Sequence, residues 1–257
     1  MKSRVKHYVV STTIAMFFLG SPATAETIRV GVNIGDFKPY RLTEDGKLAG
    51  GDIEILRTAA KRAGVELEIV REPWKRVLKD VEDGVLDAAL PAYKTEATSK
   101  FAVFTSVPVH FTWYSLFALK ESGLVYNELS DLAGLRVASR RANVPEIVQD
   151  LRNNNLNVIE VTDRNQAFAM LDKGRVDMVV DAETAADAFL EDGDLKTDVM
   201  KLTQLTKPRG SFLFFSKKSG ISKEIIAGFN EALEGMEKDG TLAEIAKENN
   251  YVYAPQQ

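Results

Sequence analysis

Two aromatic side chains, Phe37 and Tyr40, lie on either side of Pro39 in a polar segment that follows an apolar run. The next regular element begins at Gly50-Gly51-Asp52, so these rings come shortly before a predicted helix start. Aromatic rings in such a place could form an apolar wall for a small ligand, and ordinary loop packing is the alternative. Both interpretations of this segment stay open.

The chain offers little to covalent or metal chemistry. It contains no cysteine, which excludes disulfides, thiolate metal sites and lipid attachment through cysteine. Of the two histidines, His7 lies near the N-terminus and His110 lies between apolar and aromatic residues. A catalytic or metal-binding histidine needs partner groups, so we expect His110 to be a packing residue. No catalytic residue, metal or cofactor is expected.

The N-terminal segment is typical of an export signal. Three basic residues precede an apolar stretch from Tyr8 to Leu19, and Ala23-Thr24-Ala25 supplies small residues for a signal peptidase. This stretch is shorter than the ~20 residues that span a bilayer, which argues against an uncleaved anchor. We predict that residues 1–25 are removed and that the remainder is released into a bacterial periplasm.

Net charge argues against two classes of partner. The full chain has 33 basic and 37 acidic residues, and removing the signal takes away three basic and no acidic ones. The mature charge is then about −7 with histidine neutral. An acidic exported protein is a poor candidate for binding nucleic acid or anionic lipid surfaces.

Apolar, β-branched runs alternate with helical patterns along the remaining chain. Strands are predicted over 27–32, 65–70 and 86–90, with helices over 52–63 and 74–81 between them. The pattern then restarts, with a strand, a polar turn and a helix in 132–151, strands over 157–161 and 176–180, and a helix over 166–173. Alternation of this kind favours parallel α/β layers.

Two successive α/β units without a Pro- or Ser-rich linker predict two lobes joined by ordered strands. Residues 26–111 and 210–257 are predicted to form the first lobe, and residues 112–209 the second. The crossings are predicted at 111–119 and 210–215. Helices over 223–249, with a break at Asp239-Gly240, should pack on the first lobe. Loops at the carboxyl ends of the strands, including Phe37 and Tyr40, should then face a ligand cleft between the lobes.

Five segments, in this order, resemble a known family. They are DFKPYRLTEDGKLAGGDIEIL (36–56), WKRVLKDVEDGVLDAAL (74–90), DLAGLRVASRRANVPE (131–146), LDKGRVDMVVDAETAA (171–186) and FNEALEGMEKDGTLAEIAKENNY (229–251). The set is similar to the family 3 periplasmic solute-binding proteins, the amino-acid-type substrate-binding proteins of ABC transporters. Each motif alone is weak evidence for the family. Together, in the right order, the motifs are strong evidence, and the likeness covers nearly all of the mature chain.

The resemblance implies the type II periplasmic binding protein fold, with two strand crossings as a hinge. Such a protein closes its lobes on a small polar solute and presents the closed form to a membrane permease. It works as a monomer and needs no nucleophile, metal or cofactor. Trp74 stands at a position that matches a ligand contact of the family.

The first departure from the family concerns the α-carboxylate of an amino acid. Family members hold this group with an arginine at the end of a TxxR turn. Here the turn is Thr95-Glu96-Ala97-Thr98, so Thr98 replaces the arginine. Lys94 and Lys100 are the nearest cations and could act only as point charges.

The second departure concerns the ammonium group. Family members place an aspartate five residues after the Asp of a GxxD strand start, and that count from Asp177 gives Ala182. Asp181 and Glu183 flank it, and either could enter the cleft if a bulge corrects the offset. With both charged anchors altered, we predict a small polar or carboxylated solute rather than a standard α-amino acid, because uncompensated charges are costly in a closing cleft.

A replacement anion site is predicted in the second lobe. Asn143 is a good N-cap and Pro145 suits a first helical turn, so this helix start should present free amides to the cleft. Arg140 and Arg141 precede it at a strand end, where alternation should send one toward the cleft and the other toward solvent. The alternative is that both arginines are solvated.

Two other function classes fit the same pattern. Some relatives resemble dehydratases of cyclic carboxylates, which need one carboxylate as a general acid or base, and Glu96, Asp181 and Glu183 are candidates. Each of these is more typical of a solvated surface charge. The third class is a module that binds solute and reports to a receptor rather than to a permease.

Overall fold

A computed structural model describes residues 26–141, 145–193 and 198–253. Each predicted α/β unit forms a sheet of its own, with helices packed against it. Within the described residues, no helix is long and apolar enough to cross a membrane.

The first sheet contains six strands: β1 Thr27–Asn33, β4 Glu66–Glu72, β5 Ala88–Tyr93, β6 Ala102–Phe104, β7 His110–Thr112 and β13 Arg209–Ser216. Its order is β4-β1-β5-β13-β6, and β7 also pairs with β13. Strand β1 is parallel to β4 and β5, whereas β13 runs antiparallel to β5, β6 and β7. A short hairpin of β2 Leu42–Glu44 and β3 Lys47–Ala49, which the sequence pattern did not predict, precedes the first helix.

Five helices accompany this sheet: α1 Gly51–Ala63, α2 Trp74–Asp83, α3 Glu96–Ser99, α7 Lys223–Lys238 and α8 Thr241–Glu248. The C-terminal pair α7 and α8 packs on α1, which confirms the prediction that the chain end returns to the first lobe. Their buried residues, Phe229, Leu233 and Leu242, join Ile53 and Leu56 of α1 in one apolar core.

The second sheet contains five strands: β8 Tyr114–Leu119, β9 Arg136–Arg140, β10 Asn157–Val161, β11 Met178–Ala182 and β12 Val199–Gln204. Its order is β10-β9-β11-β8-β12, with β9 parallel to β10 and β11. Helices α4 Pro145–Asn153, α5 Arg164–Asp172 and α6 Glu183–Glu191 pack on this sheet. Two 3-10 turns, Lys120–Ser122 and Leu129–Leu132, follow β8.

The first crossing is divided at Trp113. The sequence predicted one strand over 111–119, but β7 ends at Thr112 in the first sheet and β8 begins at Tyr114 in the second. The return falls between Gln204 of β12 and Arg209 of β13. The chain therefore changes sheets twice, and the carboxyl ends of β1, β5 and β9 reach the gap between them.

Backbone carbonyl groups of the aromatic loop, rather than a ligand, accept hydrogen bonds from the first N–H groups of α1. Gly51 N and Asp52 N donate to the carbonyls of Pro39 and Tyr40 at 3.3 and 2.9 Å. Gly50 has φ 101°, and a Cβ there would lie 2.7 Å from the Tyr40 carbonyl oxygen, so the close approach requires glycine. The aromatic loop is thus fixed to the helix that follows it.

Candidate functional site

A cavity of about 460 Å³ lies between the two sheets, a size typical of small-molecule sites. It is bounded by the carboxyl ends of β1 and β5, the start of α2, and the facing ends of β8 and β9. We call it the cleft. Its lining residues are Asn33, Asp36, Phe37, Arg41, Trp74, Leu78, Pro91, Ala92, Tyr93, Thr95, Thr98, His110, Thr112, Tyr114, Arg140 and Ser211.

A second cavity, of about 590 Å³, follows the seam between the lobes near the Lys38–Asp192 ion pair. Its wall is strongly acidic and includes Glu44, Glu54, Glu183, Asp187, Glu191, Asp192 and Glu248. Its walls come largely from helix α6, the β2–β3 hairpin and the residues at and just after the end of α8, rather than from the ends of the central strands. The cleft is the better candidate because parallel-strand ends and aromatic side chains converge there.

The aromatic wall is partly as predicted. Phe37 and Trp74 both line the cleft, and Trp74 begins α2. Tyr40 does not: it is fully buried in the first-lobe core, where its ring stacks on His110 at 4.0 Å. Its hydroxyl donates to the Phe111 carbonyl at 3.2 Å, so the assignment of Tyr40 to the wall was wrong.

Tyrosines that the sequence analysis missed complete this wall. Tyr93 ends β5 and Tyr114 begins β8, so each stands where a strand end opens onto the cleft. The guanidinium of Arg209 lies over the Tyr93 ring, 4.6 Å from its centroid. Strand ends on both sides of the crossing were the signal that could have located these residues.

Thr98, at the position of the missing arginine, and Lys100, two residues later, have different environments. Thr98 lines the cleft and forms a reciprocal cap with Thr95 at the start of α3. Lys100 is exposed, lies 3.7 Å from Glu96 across one helical turn and does not line the cleft. The expectation that Lys100 contacts a ligand was therefore wrong, because the short helix turns its side chain to solvent.

Asp181 lies inside the second lobe with no exposed surface. Its carboxylate accepts from the guanidinium of Arg140 at 2.8 Å, from that of Arg164 at 2.6 Å, and from its neighbour Ala182 N at 2.8 Å. The prediction that Asp181 enters the cleft as a ligand contact is wrong in this arrangement, since it does not line the cleft and two guanidiniums already compensate it. This Arg140–Asp181–Arg164 cluster carries a net charge of +1.

Glu183, the alternative carboxylate, also lies away from the cleft. It accepts from Lys201 Nζ at 2.6 Å and from Ser115 Oγ at 2.5 Å. Burial opposes its ionisation, but the hydrogen bonds from Lys201 and Ser115 outweigh it and hold the Glu183 pKa below its usual range.

The two adjacent arginines divide as alternation requires. Arg140 lines the cleft, with its side chain 16% exposed, whereas Arg141 is exposed. Arg164, which the sequence analysis missed, lies with its guanidinium 5.8 Å from the centroid of the Phe37 ring in the other lobe. Asn143, the predicted cap, lies outside the described residues.

His110 has a partner that the sequence did not indicate. Its Nδ1 lies 2.5 Å from a carboxylate oxygen of Asp52 near the start of α1, and both side chains are buried. The expected packing role agrees with its burial and its stacking on Tyr40, but the sequence did not indicate that Asp52 would lie beside it. Among the described residues, no group of three metal-ligating side chains could hold a metal ion.

Arg41 is the most informative residue that the sequence analysis missed. It is 5% exposed and lines the cleft, and its Nε and Nη2 donate to the Gly35 carbonyl at 3.2 and 3.0 Å. No carboxylate in the described part of the chain lies within 4 Å of it. Burial lowers the pKa of this guanidinium, while the charges of Asp52 and Asp36 oppose that effect. Its place directly after the aromatic loop was the available signal.

Comparison with known proteins identifies the family. The model for bacterial extracellular solute-binding proteins, family 3, matches residues 28–250, and the chain belongs to this family. The L-cystine-binding protein TcyA of Bacillus subtilis is 26% identical over 217 residues, which cover 83% of this chain and 77% of the relative. The L-arginine-binding protein of Pseudomonas aeruginosa is 24% identical over 253 residues, covering 94% and 95%.

Solved structures agree with this assignment. An ancestral arginine-binding protein bound to arginine superposes with a TM-score of 0.70 at 25% identity, over 86% of this chain and 97% of the other. A histidine kinase sensor domain superposes with a TM-score of 0.74 at 22% identity, over 90% and 99%, which is a likeness of fold. The fold is that of a two-lobed type II periplasmic binding protein, and the resemblance seen in the sequence is confirmed.

Proposed function

We propose that this protein captures a small carboxylated solute other than a standard α-amino acid and delivers it to an ABC permease. The relatives whose names state a ligand bind arginine, histidine or cystine, so the proposal separates this chain from them. The observation that carries it is the Arg140–Asp181–Arg164 cluster. The carboxylate next to the expected ammonium position is buried and fully engaged by cations.

The charges on the cleft wall favour the same ligand class. Arg41 and Arg140 both line it, and Asp36 is the one carboxylate among the described residues that do. Asp36 already accepts from Thr43 Oγ1 at 3.1 Å and lies 3.6 Å from Arg71. An ammonium group would therefore enter a site with a cationic excess, whereas a carboxylate would be compensated.

The body of the solute is proposed to lie against aromatic rings. Phe37, Trp74, Tyr93 and Tyr114 supply apolar surface to the cleft from both lobes. Such a wall suits a ligand with a hydrophobic body and a charged end. Thr98 and Thr95 offer hydroxyl groups at the position where relatives of the amino-acid type place an arginine.

Separate substitutions of the adjacent arginines test the carboxylate assignment. Arg140→Ala should weaken binding of a carboxylate found by thermal-shift screening by about 2 kcal/mol or more, because a charged hydrogen bond is lost. Arg141→Ala is the matched control and should have almost no effect, since Arg141 is exposed. If neither substitution changes the affinity for the carboxylate, the second lobe does not contain the proposed anion site.

Export and assembly complete the proposal. Cleavage after Ala25 should release a monomer into the periplasm, where a permease recognises its closed form. Mass spectrometry of the exported protein tests cleavage, and light scattering tests the monomer. An N-terminus that retains the segment from Tyr8 to Leu19 contradicts the export route.

A further inference from the structure

We propose that Arg41 and Thr112 form a second anion subsite on the first-lobe wall, so that the solute is a small dicarboxylate held between Arg41 and Arg140. This inference rests on the proposed function, which assigns one carboxylate to Arg140. The new element is a second carboxylate at the other end of the solute.

The first observation is the charge of Arg41. A guanidinium has five N–H donors, and the two hydrogen bonds of Arg41 both end on the Gly35 carbonyl. Its Nη1 has no hydrogen-bond partner within the described ranges. The charges of Asp52 and Asp36 act on this 5% exposed cation only from beyond 4 Å, so an anion in direct contact would stabilise it further. The cleft that Arg41 lines is where such an anion could enter.

The second observation is independent and concerns Thr112. This residue ends β7, is 3% exposed and lines the same cleft. Its Oγ1 is buried and has no hydrogen-bond partner among the residues that the structure describes. Buried hydroxyl groups are normally satisfied, so an orphan hydroxyl at a cleft wall points to a ligand atom. A carboxylate oxygen accepts from both a hydroxyl and a guanidinium.

Charge balance across the cleft then favours two carboxylates. The first-lobe wall contributes Arg41, which has no carboxylate within 4 Å among the described residues. The second-lobe wall contributes the cluster of Arg140, Arg164 and Asp181 with one excess positive charge. A monocarboxylate would neutralise one of these walls only. A dicarboxylate contacts both, and ligand contacts to both lobes are what favour closure.

The test compares dicarboxylates with monocarboxylates of equal size by isothermal calorimetry. The probes are succinate, glutarate, adipate and isophthalate, matched with butyrate, valerate, hexanoate and 3-methylbenzoate. At least one dicarboxylate should bind about tenfold or more tightly than its partner, the gain from one extra charge-assisted contact. Arg41→Gln should bring this ratio close to one, and Thr112→Val should lower it severalfold.

Two controls keep the test decisive. Arg57→Gln removes an exposed guanidinium from α1 and should leave the ratio unchanged. Urea unfolding of each variant checks that it folds. If Arg41→Gln does not fold, Arg41→Lys, which keeps the charge but not the fork, and Thr112→Val carry the decision.

The outcomes separate the two proposals. Tight carboxylate binding that depends on Arg140, with a ratio near one or a ratio insensitive to Arg41 and Thr112, overturns the second subsite and leaves the proposed function intact. No binding of any probe, or sub-micromolar binding of a standard amino acid, overturns the proposed function itself.

Discussion

The two lobes share a pattern of hydrogen bonds at the ends of their sheets that lie away from the cleft. In the first lobe, Arg29 N donates to Asp87 at 2.9 Å; in the second, Arg136 N donates to Asp177 at 2.7 Å. In both, the arginine side chain also donates at 2.8 Å to a backbone carbonyl two residues before that aspartate. This repeat fixes the start of each central strand and has a structural purpose.

At the cleft ends the lobes differ. The second lobe compensates Arg140 and Arg164 internally through Asp181, whereas no described carboxylate approaches Arg41 of the first lobe within 4 Å. The two sheets have similar architecture, so we attribute the hydrogen bonds they share to stabilisation of the fold. We attribute the charged residues by which they differ to ligand binding. The lesson is that Arg41 and the Arg140–Asp181–Arg164 cluster distinguish this cleft.

The largest effect is expected at Asp181. Asp181→Asn leaves two guanidiniums close together with no counter-charge, and breaking a buried pair in this way costs about 3 kcal/mol or more of unfolding free energy. Urea titration measures it. Asp192→Asn, which breaks the exposed pair with Lys38, is the control and should cost less than about 1 kcal/mol. Equal small losses would show that the cluster is not structural.

An intermediate effect is expected at the aromatic wall. Trp74→Ala should weaken a bound carboxylate by about 1 to 3 kcal/mol, the range for losing an aromatic contact in a desolvated pocket. Phe104→Ala is matched, since Phe104 packs in the same apolar cluster but does not line the cleft. Calorimetry measures the affinity of both variants for the carboxylate. Equal affinities of the two variants would show that Trp74 only packs in the core.

The smallest effect concerns acid stability through the Arg136–Asp177 ion pair. The hydrogen bonds from Arg136 hold the pKa of Asp177 below its ordinary value of 3.8. The pair therefore stabilises the folded state fully above about pH 4, and this contribution is lost as pH falls through the lower folded pKa. The stability difference between wild type and Asp177→Asn should shrink below about pH 4. A difference that is constant with pH contradicts this linkage.

The strand and helix order was predictable because apolar periodicity is local. The bounds of β10 at 157–161 match the structure, and the break at Asp239-Gly240 separates α7 from α8 as predicted. Within the candidate site, Trp74 and Arg140 stand at the ends of predicted elements, whereas Phe37 and Thr98 lie in the segments that follow predicted strands. All four residues line the cleft.

What the sequence could not supply was the pairing of distant side chains. Asp52 meets His110 only because the start of α1 lies beside β7, and Arg164 reaches Asp181 only because α5 begins beside the end of β11. Tyr40 is an aromatic residue in a loop, which is typical of a cleft wall. It is buried because Tyr251 and the C-terminal helices pack over it in the first-lobe core. These contacts are long-range, so single-residue patterns do not encode them.

The central claim is that this cleft prefers carboxylates to α-amino acids. Calorimetry of the purified mature protein against the standard amino acids and cystine, beside the carboxylate probes, tests it most directly. We predict a carboxylate that binds well and amino acids that bind weakly or not at all. A sub-micromolar dissociation constant for an amino acid such as arginine would contradict the account, and would show that Arg41 and Asp36 restore the paired-charge grip.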